Sequence, residues 1–447
     1  MNGRVFKGII IVFLSLNLYC GQKISIPLKE YEKRVNSQQN RFENISVLWD
    51  SPYNLNGKNV KVAIFDGGKI YDKHIEFKDR KIIQKSDIKT DQHSTSIASI
   101  IIAKGENRFV KGIANKATLY NFLYKRYKYS SAIKEALKYK IFISNHSYSD
   151  IDQKDRFYTK ENQKIDSIVY KNPSVIALFA AGKSKDFKQL QTIPSLASSK
   201  NTLCIGALDE KQKKLIKISP KGPTYDFRIK PDFVYRGLYV LTPTIDDKKG
   251  YGIYRGTSIS TAFATGIVTL VSEAYKKRFS KDIRFDTLKT ILIITADDLV
   301  FKGVDNFSGY GRLNAKRAVD FIFDRDFYKK NLFSSIKQNQ TKSYNFKLKR
   351  DKKVKIAVCW IDPPALEKSK KSLVNDIDIF LTSTDDKRYY PYSINPKNLS
   401  ITKMQNHFDN CEVIEEKLKK GSYSLKIKGF KIKNIQNFNI SSNIAIF

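Results

Sequence analysis

The first 300 residues alternate between short apolar runs and helical patterns, and this alternation limits the fold more than any other feature. Runs rich in β-branched and aromatic residues are typical of buried strands, and the clearest are residues 59–65, 117–122, 141–149 and 175–181. Apolar residues recur at helical spacing in residues 93–103 and 131–139. Strands that alternate with helices favour a doubly wound, mainly parallel sheet. We therefore predict an α/β fold for this part.

The pattern changes from about residue 331 to short alternating strands separated by turn residues, as in a β-sandwich. The clearest of these strands are residues 344–348, 354–360 and 422–427. The predicted organisation has four parts: a signal peptide, a polar lead-in, an α/β domain and an all-β sandwich, at residues 1–20, 21–45, 46–325 and 331–447.

The amino terminus has the form of an export signal. Arg4 and Lys7 precede an apolar run over 8–18, which is too short to cross a bilayer comfortably. Cys20 follows this run and resembles the lipid-modified cysteine of bacterial lipoproteins, although residues 17–19 are larger than the small residues that usually precede it. We expect a bacterial protein that is extracellular, periplasmic or membrane-anchored, the last through a lipid on Cys20.

Charge and cysteine content exclude some functions. The chain has 81 Lys and Arg against 44 Asp and Glu, a net charge of +37 that is spread along its whole length. A nucleic-acid binder more often concentrates its charge or carries a reading module, so we expect no nucleic-acid partner. Attraction to anionic lipid or acidic substrates stays open. Cys204, Cys359 and Cys411 are few and scattered, which favours small buried hydrophobic residues over a disulfide framework.

Three residues in the α/β part are candidates for chemistry. Asp66 follows the strand at 59–65, at the end where open α/β sheets place their sites, or it is a turn aspartate before two glycines. His93 begins a small-residue helix, either as a catalytic base or as an ordinary helix-start residue. Ser258 lies where the small residues of 256–266 enter an apolar helix, as a nucleophile or as a helix cap. The order Asp, His, Ser is that of the subtilisin triad.

The surrounding residues strengthen this interpretation, because they resemble motifs of the subtilisin-like serine peptidases, the subtilases. The resembling stretches are the aspartate, histidine and nucleophile motifs and two supporting segments, at residues 62–68, 93–99, 256–261, 219–232 and 309–315. These motifs depart from the family pattern at three residues. Ser96 replaces a second histidine, and Ala262-Phe263 replaces Pro-His.

The resemblance implies a serine endopeptidase that acts on proteins or peptides. Ser258 would attack the peptide carbonyl, His93 would take its proton, and Asp66 would orient the imidazole. Residues that resemble the family's substrate-binding edge strand and its neighbouring loop are Ser147, Tyr148, Ser149 and Gly182. We expect a monomer.

The oxyanion hole is altered. Lys183 ends the run Ala-Ala-Gly-Lys, where the family has Ala-Ala-Gly-Asn. Lysine offers donors and a positive charge, and the Ser258 backbone N–H would be the second donor. The alternative is a catalytically impaired pseudoenzyme that binds or regulates peptides. A further alternative is a basic surface protein that binds anionic polymers.

The family also suggests how the remaining parts act. Residues 21–45 are too short for an independently folded prodomain. Segments 360–364, 373–379 and 409–413 resemble the jelly-roll-like domain that follows some bacterial subtilases, and related domains can bind calcium. Asp376 and Asp378 would supply oxygen ligands there, or they cap strand ends. No cofactor is required for the peptidase chemistry, and structural calcium stays an open alternative.

Overall fold

The computed structural model describes residues 21–23, 33, 42–85, 87–127, 129–149, 157–299 and 301–447. The predicted signal peptide and Cys20 lie outside these residues, as does most of the polar lead-in. Across the described ranges, none of the helices combines the length and apolar character that crossing a membrane requires.

A parallel sheet forms the centre of the first part. Within the described residues, the strands of this part are β1 Gly21–Lys23, β2 Lys61–Asp66, β3 Ile82–Lys85, β4 Thr118–Leu123, β5 Ile143–His146, β6 Ile176–Ala180, β7 Leu203–Leu208, β8 Phe233–Arg236, β9 Val240–Pro243 and β10 Tyr251–Gly256. Seven of them form one sheet in the order β3-β4-β2-β5-β6-β7-β8. Every pair in it is parallel. The predicted α/β fold is confirmed.

Helices cover this sheet and supply a large share of the apolar core. Their bounds are α1 Gln92–Ile102, α2 Ser130–Lys138, α3 Lys160–Lys171, α4 Thr257–Phe279, α5 Phe285–Thr295, α6 Ala315–Phe323 and α7 Phe327–Lys330. Helix α4 packs against α1 and against strands β5 to β8. Because its apolar side chains are buried almost all round, α4 is the central helix of this part.

An aromatic stack crosses the middle of the sheet on four neighbouring strands. The ring centroids of Phe122 and Phe65 are 4.8 Å apart, those of Phe65 and His146 are 5.3 Å apart, and those of His146 and Phe179 are 4.5 Å apart. Burial lowers the pKa of His146 to about 3. His146 is therefore a neutral member of the core. It stacks on Phe65, the residue that directly precedes Asp66 on the neighbouring strand.

The second part is a sandwich of antiparallel sheets. Its strands are β11 Asn331–Lys337, β12 Thr341–Leu348, β13 Lys352–Cys359, β14 Asp376–Ser383, β15 Arg388–Tyr389, β16 Tyr392–Ile394, β17 Ile401–Lys403, β18 Cys411–Leu418, β19 Gly421–Lys431 and β20 Ile435–Ser442. Two four-stranded sheets have the orders β11-β20-β13-β18 and β12-β19-β14-β15. Their inner faces share one apolar core around Trp360, as predicted for this part.

The cysteine prediction was wrong for two of the three residues. Cys359 and Cys411 form a disulfide, although 52 residues separate them in sequence. They are directly opposed on the antiparallel pair β13 and β18, which brings their side chains together. Cys204 is a free, buried cysteine, as expected.

Buried polar groups join the two parts. Lys200 and Asp362 form an ion pair in which both side chains are completely buried. Lys200 Nζ also donates to the carbonyl oxygens of Pro363 at 2.6 Å and Ser372 at 2.7 Å. Helix α5 packs against both β13 and β20. The two parts therefore meet through a polar junction and a shared helix.

Candidate active site

Asp66 and His93 are in direct contact at the carboxyl end of the parallel sheet. Asp66 is the last residue of β2 and is buried. His93 Nδ1 lies 2.8 Å from Asp66 Oδ1 and 2.9 Å from Oδ2. The backbone N–H of Gly67 donates to Asp66 Oδ1 at 2.7 Å. The carboxylate is therefore held in place and accepts the Nδ1 proton of the imidazole.

The start of helix α1 positions His93. Asp91 is its N-cap, and the Asp91 carboxylate accepts from the Ser94 backbone N–H at 2.7 Å. Burial opposes a charge on His93, but the Asp66 carboxylate outweighs burial, and Asp91 adds to it, so the pKa of His93 is raised. Asp91 was not predicted as a site residue, although an aspartate directly before the first turn of a helix is a recognisable N-cap signal.

Ser96 stands where the resembling motif has its second histidine, and its hydroxyl makes contacts of its own. Ser96 Oγ and Thr242 Oγ1 lie 2.8 Å apart, and Gln92 Nε2 donates to Ser96 Oγ at 3.1 Å. Ser96 is buried and joins α1 to β9. The substitution therefore keeps a polar link between the histidine helix and its neighbouring strand.

Ser258 is the second residue of helix α4, and it does not act as the helix cap. Gly256 occupies the N-cap position with φ 146°, and no side chain caps the helix. Ser258 Oγ instead donates to the backbone carbonyl of Ser147 at 2.9 Å. Ser258 is completely buried, whereas the His93 side chain is 10% exposed. Because Ser258 lies in the first turn of α4, the helix dipole favours negative charge beside it.

Lys183 lies in a loop that is tied to the start of α4. Thr257 Oγ1 donates to the carbonyl of Gly182 at 2.8 Å. Gly182 has φ +95°, a conformation that favours glycine. The Lys183 side chain is exposed, and it has no hydrogen bond or ion pair to the part of the chain that the structure describes. The hydrogen bond joins the residue before Lys183 to the residue before Ser258. The backbone of Lys183 is therefore held near the start of α4, while its side chain is able to reorient.

The expected edge strand at residues 147–149 is not part of the main sheet's edge. Strand β5 ends at His146 and lies between β2 and β6 in the interior of the sheet. Beyond it, Ser147 and Tyr148 are buried. Ser147 Oγ donates to Asn145 Oδ1 at 2.8 Å and to the Ser258 carbonyl at 3.2 Å. These bonds fix the segment against the start of α4, and its pairing with substrate stays a prediction.

Asp376 and Asp378 belong to a buried acidic cluster in the sandwich. Their carboxylates and His407 Nδ1 offer ligand atoms within 4.8 Å of one another. Within the described ranges, one oxygen each of Asp376, Asp378 and Glu412 is buried without a hydrogen bond. Burial, opposed by His407, raises the pKa of Asp378 to about 6. Three carboxylate oxygens without a hydrogen bond suit a cation, although His407 lies within ion-pair distance of both Asp376 and Asp378, and Lys371 of Asp376.

Comparison with known proteins identifies the family of the α/β part. The model of the subtilase family of peptidases matches residues 57–311, more than half of the chain. The chain belongs to the subtilase family. The matched residues include Asp66, His93 and Ser258.

Two curated relatives match this subtilase over less than half of its length. Serotype-specific antigen 1 of Mannheimia haemolytica is 30% identical over 217 residues, which cover 44% of this chain and 22% of the relative. The serine protease/ABC transporter B family protein tagA of Dictyostelium discoideum is 27% identical over 248 residues, which cover 47% of this chain and 14% of the relative. The chain therefore spans less than a quarter of either relative's length.

Solved structures show the same fold. The prenylagaramide maturation protease PagA has a TM-score of 0.53 at 21% identity, over 62% of this chain and 98% of that one. A lanthipeptide protease has a TM-score of 0.51 at 20% identity, over 66% of this chain and 95% of that one. At this identity the likeness concerns the subtilisin-like fold alone.

Proposed function

We propose that this subtilase is a serine endopeptidase that hydrolyses proteins or peptides through Asp66, His93 and Ser258. The observation that carries the proposal is the contact between His93 Nδ1 and both carboxylate oxygens of Asp66. A buried aspartate that holds an imidazole in this way prepares its other nitrogen to act as a base. The position of Ser258 at the start of α4, on a helix that packs against α1, supports its role as the nucleophile.

The reaction follows from these groups in two stages. Ser258 Oγ attacks the substrate carbonyl as its proton passes to His93 Nε2, and the imidazolium then gives that proton to the departing amine. The result is an acyl ester on Ser258. Water, deprotonated by His93, then attacks the ester and releases the new carboxyl terminus. For this to occur, Ser258 Oγ must exchange its bond with the Ser147 carbonyl for one with His93.

Lys183 and the Ser258 backbone N–H are the proposed oxyanion donors. The loop that carries Lys183 is joined to Thr257 by the Gly182 hydrogen bond, and an exposed ammonium can fold toward a developing negative charge. A donor of this kind contributes about 10²–10³ in rate. The exposed starting position of Lys183 also supports the alternative of an impaired enzyme, in which the same cleft binds peptides without cutting them.

Export and calcium complete the proposal. The charged and apolar residues before Cys20 support export, with a lipid on Cys20 as one form of membrane association. The buried carboxylate oxygens of Asp376, Asp378 and Glu412 support a structural calcium site in the sandwich. Calcium bound there would neutralise charge that burial makes costly.

Active-site labelling tests the proposed function. A fluorophosphonate probe should label the purified chain, and the label should disappear in Ser258→Ala. Ser272→Ala is the matched control, since Ser272 lies on the same helix and its Oγ makes no hydrogen bond within the described residues. A folded wild-type chain that neither labels nor cleaves a casein substrate would contradict the peptidase proposal. Labelling that appears only in Lys183→Asn would favour the impaired, peptide-binding alternative.

A further inference from the structure

Strand β1 lies directly beside the segment that leads into Ser258. It pairs antiparallel with β10, and the paired residues are Gly21 with Gly256, Gln22 with Arg255 and Lys23 with Tyr254. Strand β9 pairs with the opposite edge of β10. Within the described ranges, β1 is therefore the strand that completes the hydrogen bonding of the second edge of β10.

The direction of β1 matches one half of a peptide substrate. Its amino end, Gly21, lies beside Gly256, which is two residues before Ser258, whereas Lys23 lies farther along β10. In a substrate, the residues after the cleaved bond begin with the amine that leaves, so their amino end must lie at the nucleophile. An extended chain that follows β10 in this direction therefore occupies the leaving-group side of the cleft.

Strand β1 also lies next to the helix of the proposed nucleophile. Besides β10, the strand contacts helix α4, which carries Ser258. Ser258 is completely buried, so a substrate carbonyl cannot reach its Oγ unless a neighbouring group moves.

We propose that residues 21–23 are a built-in competitor for substrate, which holds the edge of β10 that binds the residues after the cleaved bond. This inference rests on the proposed role of Ser258 as nucleophile. The pairing uses main-chain groups, as in recognition by strand addition, so it competes with extended peptides of many sequences. A strand of three residues is short and is stabilised by few hydrogen bonds, so substrate can displace it.

Paired variants of the full chain test this competition. Successive N–H groups of a strand point to opposite edges, so in Gln22→Pro/Lys23→Pro one proline removes an N–H directed at β10. Gln22→Ala/Lys23→Ala is the matched control, because it truncates the same side chains and keeps both N–H groups. Two substrates are compared: a quenched peptide with four residues after the cleaved bond, and the corresponding p-nitroanilide, which has none. Fluorophosphonate labelling counts the active sites.

The proline variant should raise the kcat/KM ratio of the long substrate to the anilide by about tenfold over the alanine control, the worth of one or two main-chain hydrogen bonds. The gain should appear chiefly as a lower KM. An equal ratio in the two variants, with normal labelling, would overturn the competitor and leave the proposed peptidase intact.

If the fluorophosphonate labels none of the variants, the proposed peptidase is contradicted and the kinetic comparison cannot be made. A binding measurement then tests the competitor by itself. A fluorescent peptide with the sequence of residues 21–26 should then bind the proline variant more tightly than the alanine control. Equal binding, or none to either, would show that residues 21–23 do not hold this edge.

Discussion

His93 Nδ1 contacts both oxygens of the Asp66 carboxylate, at 2.8 Å and 2.9 Å. This contact fixes the proton on Nδ1 and directs Nε2 to the proton-transfer role. It also gives the imidazolium a buried counter-charge. The pair therefore sets both the orientation and the basicity of the proposed catalytic base.

The rate should depend on pH through His93. Only the neutral imidazole can accept a proton, and the pKa of His93 is raised above its ordinary value because Asp66 outweighs burial. We expect kcat/KM to fall with decreasing pH through an inflection above about 6.5. Asp66→Asn should move this inflection to lower pH and lower kcat by about 10⁴. Asp72→Asn, at an exposed position, should leave the profile unchanged.

Lys183→Ala should lower kcat by about 10²–10³ with little change in KM, because an oxyanion donor acts mainly in the transition state. Lys183→Asn should keep most of the wild-type kcat, because asparagine supplies a shorter donor whose position is more fixed. Lys185→Ala is the control, since Lys185 is exposed in the same loop. If steady-state kinetics show Lys183→Ala as active as Lys185→Ala, then Lys183 is not a donor.

Lys200→Met should destabilise the fold by about 3–5 kcal/mol, because it leaves the Asp362 carboxylate buried without a counter-charge. Urea unfolding measures the change. Adding Asp362→Asn should recover part of it, since the substitution removes the buried charge and its amide oxygen can still accept from the Asn375 backbone N–H. Lys276→Met removes an exposed pair with Asp282 and should change stability by less than about 1 kcal/mol. Equal effects of the two lysine substitutions would refute the importance of the junction.

Calcium should stabilise the chelator-treated chain by about 2.7 kcal/mol at a free concentration 100 times its Kd. Asp378→Asn should abolish this stabilisation, because it replaces a buried ligand charge. Asp385→Asn, on an exposed turn after the same strand, should retain it. Thermal unfolding with and without calcium provides the measurement. If calcium does not change the Tm of the wild-type chain, the calcium site is contradicted. The acidic cluster would then serve only to form ion pairs with His407 and Lys371.

Local sequence patterns predicted much of the fold, because strand, helix and motif signals are short-range. The strand that ends at Asp66 and the helix that begins near His93 lie within two residues of their expected bounds. Contacts between distant segments were missed. The Cys359–Cys411 disulfide and the Lys200–Asp362 pair depend on how strands and loops separated by 52 and 162 residues come together. No periodicity in the sequence encodes such partners.

Helix α5 determines how the molecule can be divided. Every residue from Phe285 to Thr295 is buried, and Thr290 bonds to Asn439 at 2.7 Å and to Ser441 at 2.8 Å across the junction. A fragment that stops before the sandwich would expose one side of this helix to water, together with the unpaired ammonium of Lys200. The α/β part therefore depends on the sandwich, which covers one side of helix α5.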